Sequence, residues 1–311
     1  MKIITILMPA VIMLWAVRVS AVEPGKESQV SKAAPENATT PAAGPAAAHP
    51  AQGVPARETT GKTPAVRLTG VLESGFLAVL SHSVQFSNDG TVFSYRREGG
   101  QNVLFQVYRA SAELEIERRH KLLFLYQPLS LRTQVSLDRN LRVDGLDFPA
   151  GTTVNLVYDF PFYRLSYLYD LGLDGVEELS LGLSLQIRNA TISFSSEDGS
   201  LFRDNRDVGP VPLLKARGRL RFGSVFWTGF EIDWIYAPVS YLNGSDTAVT
   251  GALLDASLRG GVSFRQAEAF FNIRYLSGGA TGTSDDTGPG DGFVSNWLDF
   301  LTVTLGLTIS I

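Results

Sequence analysis

The last eleven residues of this 311-residue chain alternate strictly between apolar and small or polar side chains. Every second residue from Leu301 to Ile311 is Leu, Val or Ile, and the residues between them are Thr, Gly or Ser. A period of two places neighbouring side chains on opposite faces of a β-strand. The pattern recurs about ten times after residue 67, so we expect a sheet with one apolar and one polar face.

The first residues have the composition of a secretory signal peptide. Lys2 gives a charged start, residues 3–17 are almost wholly apolar, and Val19-Ser20-Ala21 offers the small residues of a cleavage site. The apolar run is shorter than the roughly 20 residues of a membrane-spanning helix. We therefore predict a signal peptide over residues 1–21, removed after Ala21. The chain has no Cys, which excludes disulfides and a lipid-modified N-terminal Cys.

Residues 22–65 differ in composition from the rest of the chain. They contain seven Pro, many Ala, Gly and Thr, and no Phe, Trp or Tyr. Such a segment cannot bury enough apolar surface to offset the entropy lost on ordering. We predict a disordered Ala/Pro-rich periplasmic tether, either a plain spacer or an arm that contacts an envelope partner. His49 lies in it.

Charge and hydropathy narrow the class of the remaining domain, residues 66–311. Removal of Lys2 and Arg18 with the signal leaves 25 basic and 31 acidic residues, a net charge of −6 that excludes nucleic-acid binding by charge. After the signal no apolar run reaches 18 residues, yet aromatic residues are plentiful. Apolar content without long apolar runs is typical of a transmembrane β-barrel, in which every second residue meets lipid.

The alternation predicts ten antiparallel strands closing into an up-and-down barrel, with eight or twelve as alternatives. An even number puts both termini on the periplasmic side. Short turns at 118–120, 223–224 and 266–268, and a somewhat longer connection at 171–176, alternate with long polar connections at 87–103, 138–151, 196–210, 242–249 and 278–296. The predicted strands are 67–86, 104–117, 121–137, 152–170, 177–195, 211–222, 225–238, 250–265, 269–277 and 297–311.

The polar faces of these strands carry many charges, which a barrel would turn into its lumen. Because unpaired buried charges are costly, they are expected to form a structural ion-pair network. The alternative is a selective channel with an anion-attracting stripe from Lys215 to Arg221. The predicted lumen network comprises Arg109, Glu113, Glu115, Lys215, Arg217, Arg219, Arg221, Glu231, Asp233, Asp255, Arg259 and Arg274.

Two interruptions of the alternation appear, near Pro161-Phe162 and near Asn189-Ala190. Because Pro in a strand is confined to edges and bulges, we predict a bulge at Pro161. Aromatic residues near strand ends predict interfacial girdles. The candidates are Tyr163, Tyr167, Tyr169, Trp227, Trp234, Tyr236, Tyr241, Tyr275 and Trp297.

An enzymatic function would need a nucleophile and a base. His82 is the catalytic candidate: the strand phase puts it on the lipid face near the extracellular rim, and Ser81, Ser83 and Asp299 are its candidate partners. Loop acids Asp285 and Asp286 could serve a carboxylate protease. The turn residue His120 is poorly placed for outer-leaflet lipid. No metal-binding, phosphate-loop or haem motif appears, so no cofactor or metal is expected.

From about residue 67 to 311 the chain resembles Gram-negative outer-membrane β-barrel proteins. The resemblance rests on the signal, the alternation and the terminal strand; members commonly end in Phe or Trp, whereas this chain ends in Ile311. It implies an outer-membrane location, contact with outer-membrane lipid and lipopolysaccharide, and insertion by the barrel-assembly machinery.

We expect a non-enzymatic protein that is structural, recognises ligands through its loops, or forms a narrow porin-like pore. The alternatives are an outer-membrane enzyme acting on lipopolysaccharide, lipid or peptide, and a secreted soluble β-sandwich binding module.

Overall fold

The computed structural model describes residues 66–238, 248–283 and 289–311. The predicted signal peptide and tether, His49, Tyr241, Asp285 and Asp286 lie outside the described residues. The strands are β1 (Val66–Phe86), β2 (Phe93–Ser94), β3 (Leu104–Ile116), β4 (His120–Gln127), β5 (Ser130–Ser136), β6 (Leu141–Val143), β7 (Leu146–Phe148), β8 (Thr153–Asp159), β9 (Phe162–Asp170), β10 (Glu178–Ser196), β11 (Phe202–Phe222), β12 (Phe226–Pro238), β13 (Ala248–Phe264), β14 (Ala267–Thr283) and β15 (Phe293–Ser310).

The long strands form one closed antiparallel barrel. β4 continues into β5 and β8 into β9, which makes ten barrel strands in all. Each pairs with its neighbour along the chain, and β15 pairs with β1 to complete the circle. The prediction of a ten-stranded antiparallel barrel is confirmed, and the two-sheet sandwich is wrong. No helix in the described residues is long and apolar enough to cross a membrane.

The two ends of the barrel differ. At the end that we call the turn end, the connections are residues 117–119, 171–177, 223–225 and 265–266. At the opposite end, the loop end, residues 87–103 carry β2, and residues 137–152 carry the β6–β7 hairpin.

The outer surface near the turn end is apolar. Leu72, Leu183 and Leu305 point outward and are 67%, 62% and 70% exposed, while charged side chains fill the inside. This is the reverse of a soluble protein, in which apolar side chains are buried. We call the outward apolar side chains of this half the belt; they are suited to lipid, and closure pairs the first barrel strand with the last.

Polarity inverts toward the loop end. On β10 the outward residues change from Leu and Ile to Thr191, Ser193 and Ser195, and the inward residues become Ala190, Ile192 and Phe194. In this half, apolar side chains from β1, β2, β5–β8, β10 and β15 pack into one buried core inside the barrel. We call this half the cap. Its strands continue beyond the belt, so water replaces lipid on their outer face.

This inversion explains why both predicted interruptions are wrong. Tyr158, Phe160, Phe162 and Arg164 are all buried, so the inward phase passes through Pro161 without a bulge. The ladder is interrupted there but its register is the same on both sides, and β10 is likewise continuous through Asn189. The chemistry of the interior changes at this height, and in the sequence that change resembles a change of phase.

Two predicted long loops are mostly strand. β11 begins at Phe202 rather than residue 211, and β14 extends to Thr283 rather than 277. These extensions are held by backbone pairing with β10 and β15 above the belt. Because polar residues and Gly interrupt both of their faces there, apolar alternation does not reveal them.

Paired substitutions on β10 test the boundary between belt and cap. Leu183→Arg places a charge on the lipid face and is expected to destabilise the barrel by about 2–4 kcal/mol. Ser193→Arg, also outward but in the cap, is expected to change stability by less than about 0.5 kcal/mol. Urea titration of the barrel in lipid vesicles measures both. Equal losses would contradict the assigned boundary.

Candidate functional site

Among the described residues, three networks of ion pairs lie in the lumen inside the belt. The first, the inner network, lies next to the cap and joins seven barrel strands. Its members, each connected to another by an N–O distance of 4.0 Å or less, are Glu73, Arg109, Arg164, Lys215, Glu231, Asp233, Asp255, Arg259 and Arg274.

Asp233 is bound by side chains from three other strands. It accepts from Lys215 Nζ at 2.7 Å, Arg164 Nη1 at 2.6 Å and Ser184 Oγ at 2.6 Å. The same lysine donates to Glu231 at 2.6 Å. All these side chains are buried, so each ion depends on its partners instead of water.

Arg164 and Arg274 reach toward each other across the lumen through Asp255. Arg164 Nη2 lies 2.9 Å from one oxygen of Asp255, and Arg274 binds both of its oxygens. Gln186 accepts from Arg164 at 2.6 Å and 3.0 Å, and Gln127 accepts from Arg274. The interior is therefore filled by side chains from opposite walls.

Arg109 and Arg259 are held less tightly. Both share Glu73 and Glu231, at N–O distances between 3.4 and 3.9 Å. Glu73 receives its short hydrogen bonds instead from Asn272 at 2.7 Å and from Thr304.

The middle network lies nearer the turn end. Lys121 Nζ lies 3.0 Å from Glu178, 3.2 Å from Asp170 and 3.7 Å from Glu115. Arg217 bridges Glu178 and Glu113. The network thus comprises two basic and four acidic side chains.

The outer network surrounds the mouth of the lumen at the turn end. Arg219 and Arg221 both contact Glu177 and Glu268. Arg219 also lies over the Trp227 ring, 4.1 Å from its centroid. Trp227 is therefore inside the barrel, and its predicted place in a girdle is wrong.

These networks enclose a cavity that we call the chamber. Its volume is about 590 Å³. Side chains of all three networks line it, together with Val71, Leu123, Trp227 and Phe270. Gly306 makes room for the Phe270 ring, because a Cβ there would lie 2.1 Å from a ring carbon.

All twelve side chains of the predicted lumen network lie in these three networks. Seven partners were missed from sequence. Glu73 and Arg164 are isolated charges in largely apolar stretches, and the phase break predicted at Pro161 hid the inward position of Arg164. The same alternation would have found both. The missed partners are Glu73, Lys121, Arg164, Asp170, Glu177, Glu178 and Glu268.

The predicted lipid-facing position of His82 is wrong. The β1–β15 register shifts between Val79 and Ser81, so Leu80 faces outward and His82 turns inward. His82 is 1% exposed and lies in the cap, beyond the belt. Ser81, in contrast, is exposed opposite Asp299. The proposed Ser–His–Asp grouping is therefore split between the two faces of the wall.

Aromatic rings enclose His82. Its ring stacks on Tyr95 with centroids 4.4 Å apart and meets the edge of Tyr158 at 4.3 Å. Nδ1 lies 2.8 Å from Gln101 Oε1. Burial lowers the pKa of His82 to about 4, so the imidazole is neutral at pH 7.

His120 lies on the outside, at the turn end. It begins β4, and its Nδ1 lies 2.7 Å from the Tyr167 hydroxyl. Tyr167 is exposed, like Tyr163, Trp234 and Tyr236 among the other predicted girdle residues.

No family model and no curated protein matches this chain. Among solved structures, it is similar to the outer membrane protease OmpT from Escherichia coli, with 13% identity, 79% of this chain and 97% of that chain covered, and a TM-score of 0.40. It is also similar to the transport unit of the autotransporter AIDA-I from Escherichia coli, with 10% identity, 82% of this chain and 92% of that chain covered, and a TM-score of 0.35. A Pseudomonas aeruginosa FadL homologue is similar with 8% identity, 79% of this chain and 89% of that chain covered, and a TM-score of 0.35.

The class of the protein follows from its own geometry. An even-numbered antiparallel barrel closes on itself, its outer face carries an apolar belt, and its lumen is polar. Its connections are short at one end and longer at the other. The protein is an outer-membrane β-barrel. These properties place it in the outer membrane.

Removing one charge from the inner network tests how strongly it holds the barrel. Asp233→Asn leaves Lys215 and Arg164 short of a buried counter-charge, so we expect a loss of about 3–5 kcal/mol. Asp147→Asn, which weakens an exposed pair with Arg142, is the control and should have little effect. Urea unfolding in vesicles and heat-modified gel mobility measure both. Equal stability of the two variants would contradict a tight network.

Proposed function

We propose that this protein is a closed, non-conducting barrel that acts through the cap it holds outside the cell. The observation that carries the proposal is that two layers of side chains block the lumen. One is the inner network in the belt, and the other is the apolar core in the cap. A pore would need a continuous polar path past both.

The inner network supports the first block. Arg164, Lys215, Asp233, Asp255 and Arg274 come from different strands and meet across the lumen, each less than 5% exposed. Because mutual pairing holds these ions in place of water, opening a path would leave buried charges unpaired.

The cap core supports the second block. Tyr95 on the loop after β2, Tyr158 on β8 and Phe300 on β15 close around His82 and are at most 1% exposed. Burying such large side chains stabilises the closed state by about 1.5–3 kcal/mol each.

The connections of the cap are held in fixed positions, which suits recognition. Thr91 and Arg142 exchange backbone and side-chain hydrogen bonds at 2.9 Å, so the β6–β7 hairpin is joined to the loop after β1. Arg142 also binds Asp89 and Asp147 on the surface. A rigid surface loses little conformational entropy when it binds a partner.

The burial of His82 weakens the enzymatic alternative built on it. A base that must reach lipid or lipopolysaccharide needs an accessible ring nitrogen, and the ring is enclosed by aromatic side chains on the side away from Ser81. A narrow pore remains the competing function and is separated from ours by conductance.

Conductance across a planar bilayer is the direct test. We expect the purified native protein to give no stable current steps. Variants opening one block, Asp255→Ala/Arg274→Ala or Tyr95→Ala/Phe300→Ala, should stay silent, whereas the combined variant should conduct. Heat-modified gel mobility verifies that each is folded. Stable, ion-selective steps from the native protein would establish a pore and overturn the proposal.

Because the chain lacks Cys, single cysteines can report which end faces outward. We expect Asp138→Cys, in the cap, to react with a membrane-impermeant maleimide on intact cells. Asp174→Cys, in a connection at the turn end, should react only after the outer membrane is permeabilised. Asp138 and Asp174 are both exposed, so a difference in labelling reports the side of the membrane and not the burial of the side chain. The reverse pattern would place the cap in the periplasm.

A further inference from the structure

The chamber between the networks is polarised along its axis, and we infer that it binds a small zwitterion that enters from the turn end. The negative group of the ligand lies against the inner network and the positive group against the middle network. The inference is independent of the function proposed for the cap, since the chamber lies on the other side of the inner network.

The inner end of the chamber carries surplus positive charge. Among the described residues, the inner network joins five basic and four acidic side chains. Two of the basic ones, Arg109 and Arg259, line the chamber and have only the long contacts to Glu73 and Glu231 described above. A ligand carboxylate near these two guanidinium groups would supply the missing negative charge.

Hydrogen-bond donors on the chamber wall also lack acceptors. Nε of Arg109, Nε of Arg259 and the indole N–H of Trp227 are buried without a partner, and all three side chains line the chamber. Leaving a buried donor unpaired costs about 1–3 kcal/mol. All three unsatisfied groups are donors, which favours a ligand group rich in acceptor oxygens.

The middle network has the opposite surplus. Its four carboxylates exceed its two basic side chains by two charges, and all six side chains line the chamber. Lys121 is shared among three of the acids, so no acid has it alone. A ligand ammonium near Glu115 and Glu178 would reduce the repulsion among the carboxylates.

Between the two charged ends the wall is apolar. Val71 is the inward residue next to Glu73 on β1, and Leu123 is the inward residue next to Lys121 on β4. Phe270 lies between the inward residues Asn272 and Glu268 on β14. A short aliphatic chain joining the two charged groups matches this wall, so the ligand class is an ω-amino carboxylate or a similar zwitterion.

Three probes of equal chain length separate the contributions of the two charges. Purified full-length protein in detergent is titrated with 6-aminohexanoate, hexanoate and hexylammonium, followed by calorimetry and by tryptophan fluorescence, to which Trp227 contributes. We expect 6-aminohexanoate to bind at least tenfold more tightly than either singly charged probe. Equal binding of hexanoate would reduce the site to an anion site, and equal binding of hexylammonium to a cation site. Either result, or no binding of any probe, overturns the inference.

Variants locate the site. Arg259→Gln removes the surplus positive charge, and Glu115→Gln removes one surplus negative charge; each should weaken 6-aminohexanoate binding about tenfold. Trp227→Phe keeps an aromatic ring and removes the indole N–H together with the five-membered ring, so it tests the chamber wall even if a charge variant fails to fold. Arg132→Gln, on the exposed outer face of the cap, is the matched control. Unchanged affinity in Arg259→Gln, Glu115→Gln and Trp227→Phe, or a comparable loss in Arg132→Gln, would show that binding occurs elsewhere.

Discussion

A backbone N–H or C=O group inside a lipid bilayer has no water to bond with, so it must find another backbone group. The pairing of β1 with β15, from Thr69 with Ser310 to Phe86 with Val294, meets this requirement for the two strands that would otherwise be edges. Closure fixes the two faces of every strand at once. Lipid then selects the outward face in the belt, while the inward face must be satisfied by the protein alone.

The lumen networks are a consequence of that confinement. Strand alternation sends Lys215, Asp233 and Arg164 inward from three strands, and none of them can turn to bulk water from its position. Pairing across the lumen stabilises these charges only where opposite signs arrive at the same height. Near the cap the pairing is dense, whereas toward the turn end it loosens into a chamber, where Arg109 and Arg259 have only long contacts.

Alternation in the sequence was sufficient to predict a ten-stranded barrel and the inward side of Lys215 and Glu231, but not the extensions of β11 and β14 beyond the belt. It could not predict which charges would meet, because partners such as Arg164 and Asp233 depend on the stagger between strands distant in the chain. Alternation also gave a wrong face where a strand irregularity shifts the inward positions, and a false interruption where the inward side chains change from polar to apolar. The β1 irregularity after Val79 involves ordinary residues and leaves no sequence marker, so His82 was assigned to the wrong face. At Pro161, a real change of interior chemistry imitated a phase break that does not exist.

The inversion of polarity along β10 also gives the barrel two independent checks on its assembly. A slip of one residue against a neighbouring strand would exchange the faces along the whole length of the strand. In the belt that slip would turn Ser184 and Gln186 toward lipid, and in the cap it would turn Ile192 and Phe194 toward water. Both errors are penalised, each by a different solvent. A one-residue slip is therefore unfavourable in both halves of the barrel, so a strand that passes from lipid into water has its register fixed by both environments.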